Sequence, residues 1–419
     1  MRPSPNRAVQ VECVDPPLDL RRQLLADRFL FGISALSSHP LLPKIRLLQL
    51  YSSSKAYWRN KEKPRLVNSL ERLAALRPPI MKSSSLPIYS VPFEALTHSS
   101  KVITNIGIDK ESPLANSIFS KFVINHFPSY RLFFTDASKL TDQGCVGAAF
   151  LLANSHIMAK FKLPPEASVF SGECLALLKA LEYIYTHKLS KSVIFSDCLS
   201  ALQSISLRPF KNFACKYLTC QLKHLSYKCH SAGLEVVFVW IPSHSGIVGN
   251  ERADKAAKEA ILDGDDSFYK IFQPDALSLP FNFMRKKWSL RWSRAKKCFY
   301  SEIQSTIPSR PWFFKNRSLS KRHTSIIIRL RLGRVCSSEQ LYIFKKKDSP
   351  MCDCGNEVGN IDHIFFNCPI NNKPPDLYSC LPRLNVPLPA NMASLLYLTD
   401  SKKIMCAVSK FMTNNNIKL

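Results

Sequence analysis

Residues 130–262 carry a pattern that few folds satisfy, a run of three strands that gives way to alternating helices and strands. LFFTD (132–136), CVGAAFLL (145–152) and HIMAKFKL (156–163) are apolar strand candidates. Asp142, Gln143 and Gly144 make the first turn between them, and Ala153, Asn154 and Ser155 the second, so the three predict an antiparallel meander. Cys174, Leu177, Leu178, Leu181, Ile184 and Tyr185 then follow helical spacing. SVIFSD (192–197) is a short buried strand, 199–207 and 213–228 read as helices, and LEVVFVW (234–240) is a further strand. Ala253, Ala256, Ala257, Ala260 and Ile261 share one helical face. The order β-β-β-α-β-α-α-β-α predicts an α/β fold, a mixed five-stranded sheet flanked by helices, with mainly helical N- and C-terminal flanks.

Four acids punctuate this order: Asp136, Glu173, Asp197 and Asp254. Asp136 and Asp197 are expected to close strands, where ligands gather in sheets with crossover helices. Glu173 and Asp254 are expected in the first turns of helices, whose positive ends favour carboxylates. Bringing four carboxylates together is costly unless cations neutralise them. Oxygen-rich clusters suit Mg2+ or Mn2+, and two such ions a few ångströms apart are a device for cleaving phosphodiesters. WIPSHSGIVGNERAD places His244 ten residues before Asp254. The constellation points to a nuclease.

The phrases FFTDASK, SGECLALLKAL, VIFSDCLSAL, IPSHSGI and GNERADKAAKEA resemble the type 1 ribonuclease H family, in particular the ribonuclease H domain of non-LTR retrotransposon polyproteins. The resemblance spans about 130–262. It implies that Asp136, Glu173, Asp197 and Asp254 ligate two Mg2+ ions, that His244 stands near the scissile phosphate, and that Asn250, with Ser138, lies at the substrate. Read from the residues alone, Asn250 is equally a helix N-cap. Residue 137 is Ala where the family often has Gly, and residue 243 is Ser where Gly is common; neither removes a ligand. Cys174 belongs to an apolar helix face and reads as inert core.

Charge divides the chain. Lys and Arg number 58 against 31 Asp and Glu, a net +27, which suits a polyanionic partner. Segment 1–129 is net +9, 130–262 net +5, 270–350 net +15 and 351–419 net +1. These shifts suggest four parts: an N-terminal flank (1–129), a ribonuclease H domain (130–262), a basic and mainly helical nucleic-acid-binding region (263–350), and a Cys/His module with a tail (351–419). The four prolines and the Ser-Ser-Ser run within 76–100 read as an extended linker. Gly264-Asp265-Asp266 reads as a loop, and no aromatic-x-Asp-Asp polymerase signature occurs in a strand-turn-strand setting. PPLDLRRQLLADRFLF is similar to the segment that follows the reverse transcriptase in such polyproteins. The chain therefore reads as a C-terminal piece of such an element, or a gene derived from one.

Arg329, Arg331 and Arg334 lie among isoleucines and leucines and are candidate phosphate contacts. Trp288 and Trp292, at i and i+4, share one helical face and read as core anchors, while Trp312 stands among further basic residues that could flank a stacked base. Downstream, Cys352-x-Cys354, His363 and Cys368 offer three thiolates and an imidazole for a closed zinc site. The single-residue gap between the first two is shorter than usual, and buried reduced cysteines are the other reading. With no apolar run of membrane-spanning length and no signal peptide, the expected location is intracellular, nuclear or cytoplasmic.

The expected activity is metal-dependent cleavage of the RNA strand of RNA–DNA hybrids. A catalytically inactive nucleic-acid-binding remnant is the competing class. The integrase or transposase branch of the same fold ranks last, since it typically uses three acids and lacks the His244 phrase.

Overall fold

The computed structural model describes residues 6–83, 87–109, 112–142, 144–206, 217–295, 298–315, 319–371, 377, 381–386, 391–398 and 402–417. The turn residue Gln143, and residues 207 and 213–216 of the two expected helices, lie outside them. The chain forms two compact units, 23–282 and 1–22 with 283–419. They cut the chain elsewhere than composition did.

In the unit 23–282, six strands make one mixed sheet: β1 (Lys101–Ile103), β2 (Arg131–Ser138), β3 (Val146–Leu152), β4 (Met158–Leu163), β5 (Lys191–Ser196) and β6 (Glu235–Trp240). Their spatial order is β1-β6-β5-β2-β3-β4. The meander β2–β3–β4 is antiparallel, and β2–β5, β5–β6 and β1–β6 are parallel. The sheet thus has six strands rather than five. The extra one, β1, is a three-residue edge strand whose residues Lys101, Val102 and Ile103 pair with Val237, Phe238 and Val239. So short a segment has no periodicity of its own, and only its partner reveals it. The expected extended linker before it is also ordered locally. Phe93–Thr97 is a helix, and Val91 and Leu96 bury against Cys220.

Five of the unit's helices pack against the sheet: α1 (Ala115–His126), α2 (Val169–Thr186), α3 (Leu199–Ser206), α4 (Tyr217–Ser231) and α5 (Val248–Asp263). Alternation along the strands sends successive side chains to opposite faces. Phe133, Ile194 and Phe238 pack with the apolar stripes of α2, α3 and α4. Phe134, Phe195, Val237 and Val239 pack with Phe119 of α1 and Ala253 of α5. Two glycines set the close approaches. A Cβ at Gly147 of β3 would lie 1.9 Å from the Ala257 carbonyl oxygen of α5, and one at Gly172 of α2 would lie 2.8 Å from Ala137 Cβ of β2. The second contact seats the helix turn that carries Glu173 directly on β2.

The unit continues past residue 262. Lys162 N–H donates to the Asp265 carbonyl at 2.8 Å, Phe272 joins the core, and Ser171 Oγ–H donates to the buried Asp275 carboxylate at 2.7 Å.

In the other unit, helix Asn6–Cys13 brings a carboxylate into an apolar core. Glu12, 1% exposed, accepts from Arg331 Nε at 2.9 Å, Tyr300 OH at 2.8 Å and Trp312 Nε1 at 2.6 Å. Arg331, 2% exposed, also donates to the Leu396 carbonyl. Burial, with Glu12 beside it, pushes the Tyr300 hydroxyl far above its ordinary value. Arg331 is therefore no phosphate contact. Its guanidinium is spent on a buried ion pair whose partner lies 319 residues away in sequence. Trp288 and Trp292 are core residues as their spacing predicts, and Trp312 is buried with them. No helix among the described residues is long and apolar enough to cross a membrane.

Candidate active site

Three of the four acids converge at one end of the sheet. One oxygen from each of Asp136, Glu173 and Asp197 lies within 4.8 Å of the others. Asp136 sits two residues inside the end of β2, and Asp197 directly follows β5. The parallel pairing of these neighbours places Thr135 beside Ser196, so the acids just beyond them emerge together. Glu173 arrives on α2, whose N-cap Ser168 accepts from Ser171 N–H.

Glu173 and Asp254 lie in the second turns of their helices, not the first. Their placement therefore owes little to the helix dipole, which fades beyond the first turn. Asn250 is not an N-cap either. It is inside α5, 2% exposed, and its Nδ2 donates to Asp197 Oδ2 at 3.4 Å. Trp240 Nε1 donates to the Asp197 carbonyl at 3.0 Å, holding that residue from the main-chain side.

The site is built to hold more positive charge than the protein supplies. Ala137 N–H donates to both Asp136 Oδ1 (2.8 Å) and Glu173 Oε1 (3.1 Å). Glu173 Oε2 is buried with no hydrogen-bond partner, as is Asn250 Oδ1. Burial, and then the Asp197 charge, push the Asp136 carboxyl up to about 7. Burial, then Asp136, raise Glu173 well above the usual carboxylate range, and burial raises Asp197 too. An orphaned carboxylate oxygen among like charges is costly when alone and favourable beside a cation. The donor set is all oxygen, which fits a hard divalent ion.

Asp254 falls in a second group with His244 and Glu251, again within 4.8 Å of one another. Its charge still acts on Asp136 and Asp197, and Lys258 Nζ, one turn on, lies 2.6 Å from its Oδ2. Glu251 escaped the sequence reading. The signal was present, since Glu251 and Asp254 are three apart on one helix and therefore neighbours on its surface. His244 is exposed, in a left-handed conformation with φ 51°, ahead of α5. Ser138 ends β2, half-buried.

A second cluster gathers in the other unit. Ligand atoms of Cys352, Cys354, His363 and Cys368 lie within 4.8 Å of one another. Cys352 Sγ is 3.7 Å from Cys368 Sγ, and Cys354 Sγ is 3.2 Å from His363 Nε2. Gly355, at φ +80°, lets the short Cys-x-Cys segment turn back, with its N–H donating to the Cys352 carbonyl at 2.9 Å. The opposite ring nitrogen, His363 Nδ1, lies 3.0 Å from Glu357 Oε2, the kind of partner that fixes a metal-binding imidazole. Hydrogen bonds, the Asn356 backbone N–H foremost, pull the Cys354 thiol down to about 7. Four soft and borderline donors in this arrangement fit Zn2+.

Of the three candidate arginines, Arg329 is exposed on helix α6 (Lys321–Arg331), Arg334 is half-buried beside Phe344, and Arg331 is interior.

Residues 128–262 match the RNase H family. Human Ribonuclease H1 is 25% identical over 112 residues, 25% of this chain and 39% of the human protein. The chain thus spans well under half the length of that relative. The matched stretch contains Asp136, Glu173, Asp197, His244, Asn250 and Asp254, and the chain carries an RNase H domain there.

Proposed function

We propose that the chain is a metal-dependent endoribonuclease that cuts the RNA strand of RNA–DNA hybrids. Asp136, Glu173, Asp197 and Asp254 hold two Mg2+ or Mn2+ ions in this reading. The observation that carries it is the buried, unpartnered Glu173 Oε2 among three converging carboxylates, within a stretch that matches the RNase H family. Bound there, paired divalent ions supply Lewis-acid stabilisation for in-line displacement at a phosphodiester.

The protein's own groups do the rest. Ala137 N–H fixes Asp136 and Glu173 relative to each other. Asn250 and Trp240 orient Asp197. His244, exposed at the edge of the site, takes up or delivers a proton or assists product release. In this reading Ser138, half-buried at the end of β2, meets the hybrid backbone, while the buried Asn250 acts through Asp197. The basic charge holds that backbone without reading sequence.

The four residues Cys352, Cys354, His363 and Cys368 hold a structural Zn2+ in this proposal. An RNase H domain accompanied by a basic tract and a Cys/His cluster supports derivation from a non-LTR retrotransposon polyprotein.

The test is cleavage of a labelled RNA–DNA hybrid with and without Mg2+, in the native protein and in Asp197→Asn. Mg2+-dependent cutting that falls to background in the variant, with hybrid binding retained, is expected. A variant within a few-fold of native would refute the assignment. Elemental analysis tests the zinc; less than about a tenth of an equivalent after refolding in zinc would return these cysteines to ordinary core.

A further inference from the structure

The unit 1–22 with 283–419 contains a cavity of about 470 Å3, within the range of small-ligand sites of about 300–1,000 Å3. It lies between the end of α6, helix α7 (Ser338–Ile343) and the segment leading into His363. None of the acid-site residues lines it.

Its walls combine two kinds of group. Phe299 and Phe344 supply aromatic surface. Arg334 and Glu339 supply a guanidinium and a carboxylate, with amides from Gln340 and Asn360. The arginine is already posed, its Cζ 5.4 Å from the Phe344 ring centroid. Neither Arg334 nor Glu339 enters an ion pair among the described residues. The other carboxylate, Asp362, is engaged, accepting from Met392 N–H at 2.7 Å.

The cavity is also held firmly. Gly333, left-handed at φ +63°, turns the chain from α6 towards Arg334, and a Cβ there would stand 3.3 Å from Phe299. On the far wall, Asn360 Oδ1 accepts from His363 N–H at 2.8 Å, which ties that wall to the Cys/His cluster. A Cβ at Gly359 would lie 2.8 Å from Ser338 Cβ, so this wall and α7 meet with no slack.

A flat ligand with donors on one edge and acceptors on the other satisfies such walls. Guanine offers O6 and N7 as paired acceptors, which arginine binds bidentately, and N1–H and N2–H as donors for a carboxylate. Adenine reverses the polarity of its Watson–Crick edge and leaves Glu339 facing the N1 acceptor and a C2–H. The unit has 28 Lys and Arg against 11 Asp and Glu, net +17, a field that favours a polyanionic strand over a lone nucleobase. Stacking on aromatic rings is how proteins seat unpaired bases.

We propose that this cavity accepts one unpaired guanine of a nucleic-acid strand. The site is separate from the hybrid-cleaving centre, and its assignment does not depend on cleavage.

Single-stranded DNA tests it without turnover. Fluorescence anisotropy of the full chain would compare a thymidine octamer with octamers carrying one central deoxyguanosine, deoxyadenosine or deoxycytidine. The deoxyguanosine octamer should bind at least about fivefold more tightly than the thymidine one, since a bidentate base contact discriminates by about 1–3 kcal/mol. Arg334→Ala and Glu339→Gln should abolish that preference and leave their thermal melts in place. Glu339→Gln should leave thymidine binding unchanged as well, because it removes no cation. Phe344→Ala should weaken all four octamers through lost stacking. Equal affinity for all four, a preference for another base, or a guanine preference that survives both Arg334→Ala and Glu339→Gln would overturn the proposal. So would displacement by free GMP as effective as by the deoxyguanosine octamer, which would make the cavity a mononucleotide site.

Discussion

In the absence of divalent ions, the acid cluster should make the protein less stable as pH rises, and Asp136→Asn should remove much of that loss. The Asp136 carboxyl stands at about 7 in the folded chain, raised by burial and by Asp197 from an ordinary value of 3.8. The difference is about three units, on the order of 4 kcal/mol at 1.36 kcal/mol per unit. Between pH 3.8 and 7 the folded state keeps a proton that the unfolded state releases. The native state then binds more protons, so stability falls across that window and levels off above it. Glu173 and Asp197 are raised as well, chiefly by burial, and act in the same direction. Asparagine at 136 removes one charge and relieves the other two. Without metal, the variant should exceed native stability at pH 8 by a few kcal/mol and match it within about 1 kcal/mol at pH 4. Hydrogen exchange of β2 and β5 amides in EDTA, corrected for intrinsic rates, reads this locally. Mg2+ at pH 8 should restore protection in the native protein far more than in the variant. A native protein whose protection is flat from pH 4 to 8, or a variant less stable than native at pH 8, would refute the reasoning.

Three further outcomes follow from the geometry. His244→Ala should slow cleavage by about 10²–10⁴-fold, the usual worth of a positioned acid–base group, while the hybrid Kd holds; an unchanged rate at neutral pH would leave His244 structural. Glu12→Gln strands the buried Arg331 charge and should cost about 3–5 kcal/mol in urea unfolding, while Glu12→Gln with Arg331→Met, which keeps an amide oxygen to accept from Tyr300 and Trp312, should recover much of it; equal losses in the single and double variants would contradict a buried pair. Arg329→Ala should reduce the log–log salt slope of hybrid binding by about 0.9 if the exposed guanidinium meets a phosphate, whereas an unaltered slope would place Arg329 off the binding surface.

Local pattern was enough for much of this protein. The meander and the crossover order were legible because strand alternation, helical periodicity and short turns are written in neighbouring residues; of the four acids singled out by their local phrases, Asp136, Glu173 and Asp197 do converge, while Asp254 lies with His244 and Glu251. The spacing of Trp288 and Trp292 likewise announced two core residues. The Cys352, Cys354, His363 and Cys368 set was legible by residue type and spacing, and its convergence turns on Gly355, the glycine that lets the chain fold back. Tertiary structure alone decided the remainder. The strand β1 exists only because β6 has a free edge for three residues of a proline-rich flank. Arg331 has the same local setting as Arg329, and only the arrival of Glu12 from the N-terminal helix makes one a buried ion pair and leaves the other in solvent. Asn250 changed from cap to Asp197 partner because α5 begins at Val248, with Ile247 at its N-cap position, so residue 250 falls inside the first turn. In each case the deciding contact joins residues far apart in sequence, and the energy of burying a charge or completing a sheet edge belongs to the pair, not to either residue's own neighbourhood.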